Sequence, residues 1–460
     1  MEGYDLIIVG AGPSGIFATL ELTRGSKQPR VLLLEKGPLI HQRNCPMDKE
    51  ARCIGCNPCR VVSGWGGAGA ASDGKLTLTA DVGGHLKKYL APERLEELIH
   101  YVDGIYLDFG APQELWGTDT KRLAQLGRQA LAADLRLIPY PVRHLGTGRT
   151  QAILEAMYQR LVGKVEIRPQ TRVRSILTRG GKALGVELED GQQLFCQHLI
   201  VAPGREGAAW LGTEAEKMGL VTEINPVDIG VRVEVPAAVL DPITRVAYEA
   251  KLLYYSASFD DQVRTFCMCP HGQVVMENNG GLVTVNGHTH ATEGTDSTNF
   301  ALLVSKNFTE PFHDPIAYGK NIAALANLLG GGVMVQRLGD LRAGRRSTQE
   351  RIDRGLVRPT LKAATAGDLS LVFPYRHLVS ILEMLEALDG LAPGINSRHT
   401  LLYGVEVKFY SSRFQLTEDL QSRQIENLFL IGDGAGITRG LVQASISGVV
   451  AARKILQLMG

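Results

Sequence analysis

The run from Tyr4 to Lys36 constrains this chain more than any other stretch. Tyr4-Asp5-Leu6-Ile7-Ile8-Val9 is an apolar segment of strand length, and Gly10-Ala11-Gly12-Pro13-Ser14-Gly15 follows it. A helix-like segment then runs to Leu22, and a second apolar strand, Arg30 to Leu34, is closed by Glu35 and Lys36. A strand feeding G-x-G-x-x-G into a helix, with a second strand and an acid about twenty residues on, is the pattern that binds a dinucleotide. Gly10 permits the tight turn, Gly12 lets a pyrophosphate approach bare backbone, and Gly15 lets helix and strand pack closely. The helix N-terminus presents amides and a positive dipole end to the phosphates. Glu35 stands where an acid accepts from a ribose hydroxyl.

The end of the chain repeats the theme. Asn427 to Ile431 reads as a strand, Gly432-Asp433-Gly434-Ala435-Gly436 as a turn, and Ile437 to Leu458 as a long helix. Asp433 is placed to accept from the ribityl hydroxyls of a flavin, and the helix N-terminus to stabilise negative charge on its reduced ring. A second sugar-binding turn at the far end of the chain argues for FAD over NAD.

Between the two ends lies a cysteine loop. Cys45, Cys53, Cys56 and Cys59 fall close together, the last three as Cys-Ile-Gly-Cys-Asn-Pro-Cys. Such spacing suits a [4Fe-4S] cluster, zinc, a redox-active thiol pair, or reduced cysteines that merely line a loop. Gly64, Gly66 and Gly69 then match G-x-G-x-x-G a second time. A loop precedes this copy and Ser72-Asp73-Gly74 ends any helix at once, so its expected work is to bring bare backbone against a ring or pyrophosphate. Lys75 and Asp73 are placed to reach the reacting edge, or are solvated loop charges.

Leu86 to Leu137 has amphipathic helical periodicity with breaks at Gly110-Ala111-Pro112 and Gly117. A helix from Arg149 to Leu161, a meander of strands and the apolar run His198 to Ala202 follow, the last entering Pro203-Gly204-Arg205. This order continues the nucleotide-binding domain. We therefore expect that domain to comprise 1–205 and 368–460, with 86–140 as a helical insertion, and 206–367 to form an inserted α+β substrate domain. Five segments of the latter (Asp228 to Val235, Leu252 to Phe259, Val263 to Met268, Gln273 to Glu277, Gly281 to Val285) suit strands of one sheet. Within it Cys267 and Cys269 would share one face of a strand. His288 and His290 are candidate ligands or proton-transfer groups, more simply read as hydrogen-bonded loop side chains. Seven arginines between Arg337 and Arg358 alternate with Asp340, Glu350 and Asp353, the pattern of a solvated face.

Over 460 residues the formal net charge is +1, so no global charge directs the chain to nucleic acid or a membrane surface. Its longest apolar stretches are interrupted by Gly-Pro, Asp433 or Arg439 and predict no membrane span. Seven unevenly spaced cysteines do not suggest an extracellular disulfide framework, and a cytoplasmic location is expected.

The two ends resemble the glutathione-reductase superfamily of FAD flavoproteins. More narrowly, the cysteine loop with Gly64 to Leu76, Phe266 to Gly272, Gly404 to Tyr410 and Gly432 to Gly448 resemble the largely uncharacterised bacterial and archaeal FAD-dependent dehydrogenases called NAD(P)/FAD-dependent oxidoreductases. That resemblance implies a three-layer, Rossmann-like α/β domain binding FAD through Gly10, Gly12, Gly15, Glu35, Gly432 and Asp433. Pro13, Ser14, Lys36 and Gly204 complete the expected lining. It further implies Val173 backbone against the adenine and Gly66-Gly67 beside the flavin. It implies no substrate, and neither the second nucleotide domain of glutathione reductase for NAD(P)H nor that enzyme's cysteine pair is visible. The expected activity is hydride or electron transfer between flavin and a small molecule lying between ring and substrate domain. NAD(P)H or a ferredoxin-like protein would be the electron partner, and Lys75, His288 and Lys408 are the acid–base candidates. The alternatives are a flavin-dependent RNA-modifying or cofactor-building enzyme, which needs a basic groove, and a non-catalytic carrier on the same scaffold.

Overall fold

The structure, a computed structural model, describes residues 3–25, 28–46, 54, 56–72, 74–279, 281–289, 294–308, 311–312 and 314–460. Its contacts divide the chain into two compact units. The first comprises Met1–Glu114, Arg143–Asn225 and Tyr410–Gly460; the second comprises Leu115–Val142 and Pro226–Phe409.

The first unit is a three-layer, Rossmann-like α/β domain. Parallel strands lie in the order Glu166–Arg168, Val31–Leu34, Tyr4–Val9, Gln193–Val201 and Leu428–Leu430. The register sets Leu6 opposite Val31 on one side and His198 on the other, and Leu199 opposite Leu428. Val31–Leu34 and Leu428–Leu430 are buried throughout, which explains their unbroken apolar sequence: a parallel strand covered on both faces has no polar side to alternate with. The first part of Gln193–Val201 instead pairs antiparallel with Lys182–Leu188, which pairs with Val173–Arg179. The helices Pro13–Leu22 and Leu441–Leu458 pack against each other so closely that a Cβ on Gly448 would lie 2.1 Å from the Ser14 carbonyl oxygen. The second of these helices begins at Leu441 rather than Ile437, because Gly436 and Gly440 take φ of 71° and 99°, values that end or precede a helix but do not continue it.

The second unit is α+β. An eight-stranded sheet runs Thr365–Ala366, Met334–Arg337, Leu401–Lys408, Val227–Pro236, Ser297–Lys306, Gln262–Cys269, Lys251–Tyr255, Arg136–Ile138. Four sequence-based expectations change here. Residues 206–225 stay with the first unit, and the second resumes at Pro226. Residues 368–409 lie in this unit, since Leu401–Lys408 is ladder-bonded to Val227–Pro236 and to Met334–Arg337. Residues 115–142 also lie in it, because Arg136–Ile138 pairs with Lys251–Tyr255 and Leu123, Leu126 and Leu135 enter its core. The five anticipated strands do not form one sheet either: Gln273–Asn279 and Leu282–His288 make a separate hairpin ladder, and Ser297–Lys306 takes the central place. Among the described residues no helix is long and apolar enough to cross a membrane.

One buried group makes the second unit sensitive to acid. His377, on the helix Tyr375–Leu391, is 2% exposed, and neither ring nitrogen has a hydrogen-bond partner. Burial pushes its pKa down to about 4; nearby Lys306 and Arg376 add to this and Asp261 opposes it. The unfolded chain therefore binds a proton near pH 6.5 that the folded chain refuses until about pH 4, so stability falls as pH falls through that window. The loss from pH 7 to about pH 4.5 should be about 2–3 kcal/mol for this one residue. Urea unfolding of His377→Leu at both pH values should show the acid loss reduced by that amount. An unchanged acid loss would mean that His377 is protonated at no cost in the fold.

Candidate functional site

Three turns meet at the carboxyl ends of adjacent parallel strands in the first unit, the end where open α/β sheets bind their ligands. The first follows Tyr4–Val9. Gly10 has φ of +102° and a Cβ there would stand 2.2 Å from the Ala202 carbonyl oxygen; on Gly15 it would stand 1.9 Å from the Gly10 oxygen. Both glycines are therefore demanded by packing. Gly12 is not: a Cβ there would meet only the Gly67 Cα, at 4.0 Å, an ordinary contact. Gly12 is also the N-cap of the helix Pro13–Leu22, which has no side-chain cap and no acid in its first turn, although Ser14 and Gly15 are buried. Amide donors are thus left at a buried helix end beside a glycine that packing does not require, which is how a chain leaves room for an anion.

The second turn, Pro203-Gly204, follows Gln193–Val201. The third, Gly432-Asp433, packs upon it, since a Cβ on Gly434 would lie 2.7 Å from the Gly204 oxygen. Gly432 takes φ of +75° and comes so close to Ser14 that a Cβ would meet its Oγ at 2.4 Å; its amide donates to Ser447 Oγ at 3.1 Å. The Asp433 Oδ1 accepts from Thr438 Oγ1 at 2.7 Å, and Oδ2 faces Arg205 Nε at 3.9 Å. Burial raises the Asp433 carboxyl's pKa, against the pull of Arg205, Thr438 and the Gly440 amide. The helix Leu441–Leu458, like the first, starts on a glycine with no side-chain cap and no acid in its first turn.

Glu35 is more tightly held than its sequence position suggests. Its Oε2 accepts from the Ala11 amide at 2.8 Å, and its Oε1 from the amides of Gly37 at 2.8 Å and Gly64 at 3.0 Å. One carboxylate thus fixes both glycine turns, and an acceptor lone pair on Oε2 remains. The second glycine loop lies against the first, with the Gly66 amide donating to the Ala11 oxygen at 2.8 Å and a Cβ on Gly67 falling 3.1 Å from Gly12 Cα. It leads into the short 3-10 helix Gly67–Ala71 and not into a strand–turn–helix. Arg43, which sequence reasoning passed over, clamps this loop: its guanidinium donates to the oxygens of Trp65 and Gly67 at 2.7 Å each and of Arg60 at 3.0 Å. Burial lowers its pKa to about 10. A lone arginine in a loop gives no periodic signal, so nothing local marked it.

At the Glu35 end an open cleft of about 1050 Å³ is lined by Lys36, Cys56, Asn57, Arg60, Thr171 and Arg172 among others. Val173 opens the strand that follows, and Lys36 pairs with Glu206. Among the described residues no group of three or more His, Cys, Asp or Glu side chains is placed to hold a metal. Cys45, Cys56 and Cys59 therefore do not assemble as a three-ligand set; Cys53 and Asp73 lie outside the described residues.

The acid–base candidates are divided between the two units. Lys75 opens the strand Lys75–Thr77 of the first unit, whereas His288 and Lys408 belong to the second; His290 is outside the described residues. There a buried charge network joins two neighbouring strands. Arg232 donates to Glu406 through Nε at 2.8 Å and Nη2 at 3.1 Å, and Lys408 Nζ lies 3.0 Å from the same carboxylate. Burial alone would raise the Glu406 pKa; Arg232 first, then Lys408, hold it below the usual range. Lys408 also stands 5.6 Å over the Phe266 ring. His288 ends its strand opposite Gln273, and the preceding Gly287 packs on Arg232 so closely that a Cβ would overlap the guanidinium. The missed signal was periodicity: Arg232 and Glu234 alternate with valines in Val227–Pro236, and Glu406 and Lys408 do the same in Leu401–Lys408. Among the seven arginines, Arg345 pairs with Asp340 at 2.9 Å, Arg351 with the same carboxylate at 4.0 Å, Arg342 with Glu386 at 2.8 Å and Arg354 with Glu350 at 3.7 Å, so four carry an acid partner.

Residues 226–409 match the family described as FAD-dependent protein, C-terminal domain-like. An uncharacterized protein of Clostridium beijerinckii is 27% identical over 479 residues, covering 98% of this chain and 80% of its own length. The crystal structure of glycine oxidase from Geobacillus kaustophilus aligns over 99% of this chain and 95% of its own, at 13% identity and a TM-score of 0.41.

Proposed function

We propose that this chain is an FAD-dependent oxidoreductase acting on a small molecule. The observation that carries the reading is the uncapped, buried N-terminus of Pro13–Leu22 beside Gly12, a glycine that packing does not require. The family match of residues 226–409 supports it independently. The amides of Ser14 and Gly15 would hold the pyrophosphate. Glu35, anchored by its three amides, would offer its remaining Oε2 lone pair to a ribose hydroxyl. Lys36, Thr171 and Arg172 would border the adenosine end in the open cleft, and Asp433 would accept from the ribityl chain. Bound FAD supplies a two-electron acceptor and donor. The N-terminus of Leu441–Leu458 would then favour negative charge on that side of the site.

This arrangement puts Cys56 at the adenosine end of the dinucleotide, since it lines the same cleft as Lys36. The cysteine loop is accordingly read as a wall of the adenosine pocket, not as a relay to the reacting ring.

The test is the absorbance spectrum of the purified protein, with the flavin released by denaturation and quantified per chain. A yellow protein carrying FAD is the expected result; a colourless one that takes up no added FAD would sink the proposal. Asp433→Ala should weaken FAD binding about 10- to 100-fold, the loss of a charge-assisted hydrogen bond worth about 1.5–3 kcal/mol. Equal affinity in the variant would remove Asp433 from the site.

A further inference from the structure

The second unit contains two cysteines that no part of the flavin reading uses. They end the strand Gln262–Cys269, as Phe266-Cys267-Met268-Cys269. On a regular strand, side chains two residues apart share a face but stand some 6–7 Å apart at their Cα atoms. Here the ladder to Ser297–Lys306 slips between Phe266 and Cys269, and Cys267 adopts φ of +45°, a left-handed conformation that a cysteine rarely takes. The result is that the two sulfurs approach to 3.9 Å. A bulge with a non-glycine residue at positive φ is retained only where its surroundings hold it. Here the Arg232 guanidinium donates to the Cys267 oxygen at 3.1 Å, and Glu249 accepts from the Cys267 amide at 3.0 Å.

The surroundings also suit a thiolate. Arg232 Nη1 lies 3.9 Å from the Cys269 sulfur. Asn299, opposite Cys269 in the ladder and fully buried, accepts from Arg232 through Oδ1 at 2.6 Å and leaves its Nδ2 donors without an acceptor. That orientation of the amide is fixed by the arginine. The two cysteines also differ in access: Cys269 is fully buried, whereas Cys267 is half-buried.

We propose that Cys267 and Cys269 form a redox-active dithiol that exchanges with small-molecule disulfides. Cys267, the more accessible, attacks one sulfur of a disulfide R–S–S–R as its thiolate. The S–S bond of the substrate breaks: one half departs as the thiolate R–S⁻ and is protonated, and the other half, R–S, stays bonded to the Cys267 sulfur as a mixed disulfide. Cys269 then attacks the Cys267 sulfur and expels the second R–SH. In balance, two protein thiols lose two electrons and two protons, and one disulfide becomes two thiols. Arg232 favours the second attack by stabilising the Cys269 thiolate. A ring of this size closes because the bulge has already brought the sulfurs together.

The test uses the whole protein, equilibrated without oxygen in glutathione buffers from fully reduced to fully oxidised. Alkylation, digestion and mass measurement of the peptide bearing Cys267 and Cys269 follow. Two alkyl labels at the reducing end, and none with the loss of two hydrogens at the oxidising end, is the expected and reversible result. In Cys269→Ser the first step should stop at a glutathione adduct on Cys267, at least tenfold more abundant than any adduct on Cys269 in Cys267→Ser. Both cysteines still open to alkylation in fully oxidising buffer, or either joined to a different cysteine, would overturn the proposal. If the variants do not fold, the wild-type peptide decides alone. Because the readout is a peptide mass, it stands or falls apart from flavin binding.

Discussion

Glu406→Gln should destabilise the second unit by about 3–5 kcal/mol, the usual cost of removing one partner from a buried ion pair. Glu406 is wholly buried and holds two cations, Arg232 and Lys408, which are themselves 0% and 5% exposed. Glutamine keeps the shape and one acceptor but removes the charge. Two buried cations would then face each other with their shared counter-ion gone. Urea unfolding should show a lower midpoint with an unchanged slope for the transition of this unit. The network should also be non-additive. In the double variant Arg232→Met/Glu406→Leu one cation leaves with the anion, so it should lose at least about 1 kcal/mol less than the two single changes together. A cost below about 1 kcal/mol for Glu406→Gln would mean that the pair adds nothing that packing does not already supply.

The same residues show where the sequence was legible. At both ends of the first unit the glycine spacing is local: each strand, turn and helix start lies within a few residues, and steric demands at Gly10 and Gly15 can be read from position alone. The second unit is organised by long-range ladders. Leu401–Lys408 belongs with Val227–Pro236, about 170 residues away in sequence, and Arg136–Ile138 with Lys251–Tyr255. No local pattern announces such a partner, so the bounds 206–367 excluded residues that complete the sheet. Amphipathic periodicity in 86–137 identified the helices Pro92–Asp108 and Thr120–Ala132, but gave no hint that they serve different units. Arg232 and Glu406 were visible only as charges in otherwise apolar strands, and reading them as a pair needs the register between the strands. The cysteine loop stayed ambiguous: its spacing suits a metal, a thiol pair or a plain loop lining alike, and the structure sets Cys56 among the residues of a cleft with no three-ligand group among the described residues.

Gly15→Ala should abolish FAD binding, whereas Gly12→Ala should weaken it while leaving the fold intact, and the pair separates packing from ligand. At Gly15 a new methyl would lie 1.9 Å from the Gly10 oxygen and 3.1 Å from its carbon. Both are backbone atoms, so no rotamer change relieves the clash, and the helix Pro13–Leu22 has to leave its strand. It cannot retreat freely, because Gly448 of the helix Leu441–Leu458 already touches the Ser14 backbone on its other side. Overpacking of this kind costs about 1–3 kcal/mol or more, and any shift would carry the Ser14 and Gly15 amides away from the place proposed for the phosphates. The protein should be recovered colourless, with a lowered thermal midpoint. At Gly12 the methyl meets only the Gly67 Cα at 4.0 Å, and the N-cap already has φ of −77°, which alanine accepts. Its thermal midpoint without flavin should match the wild type, while FAD affinity falls at least tenfold because the methyl occupies the space through which a pyrophosphate reaches the amides. If Gly12→Ala bound FAD as the parent does, the glycine would need another explanation and the pyrophosphate another place.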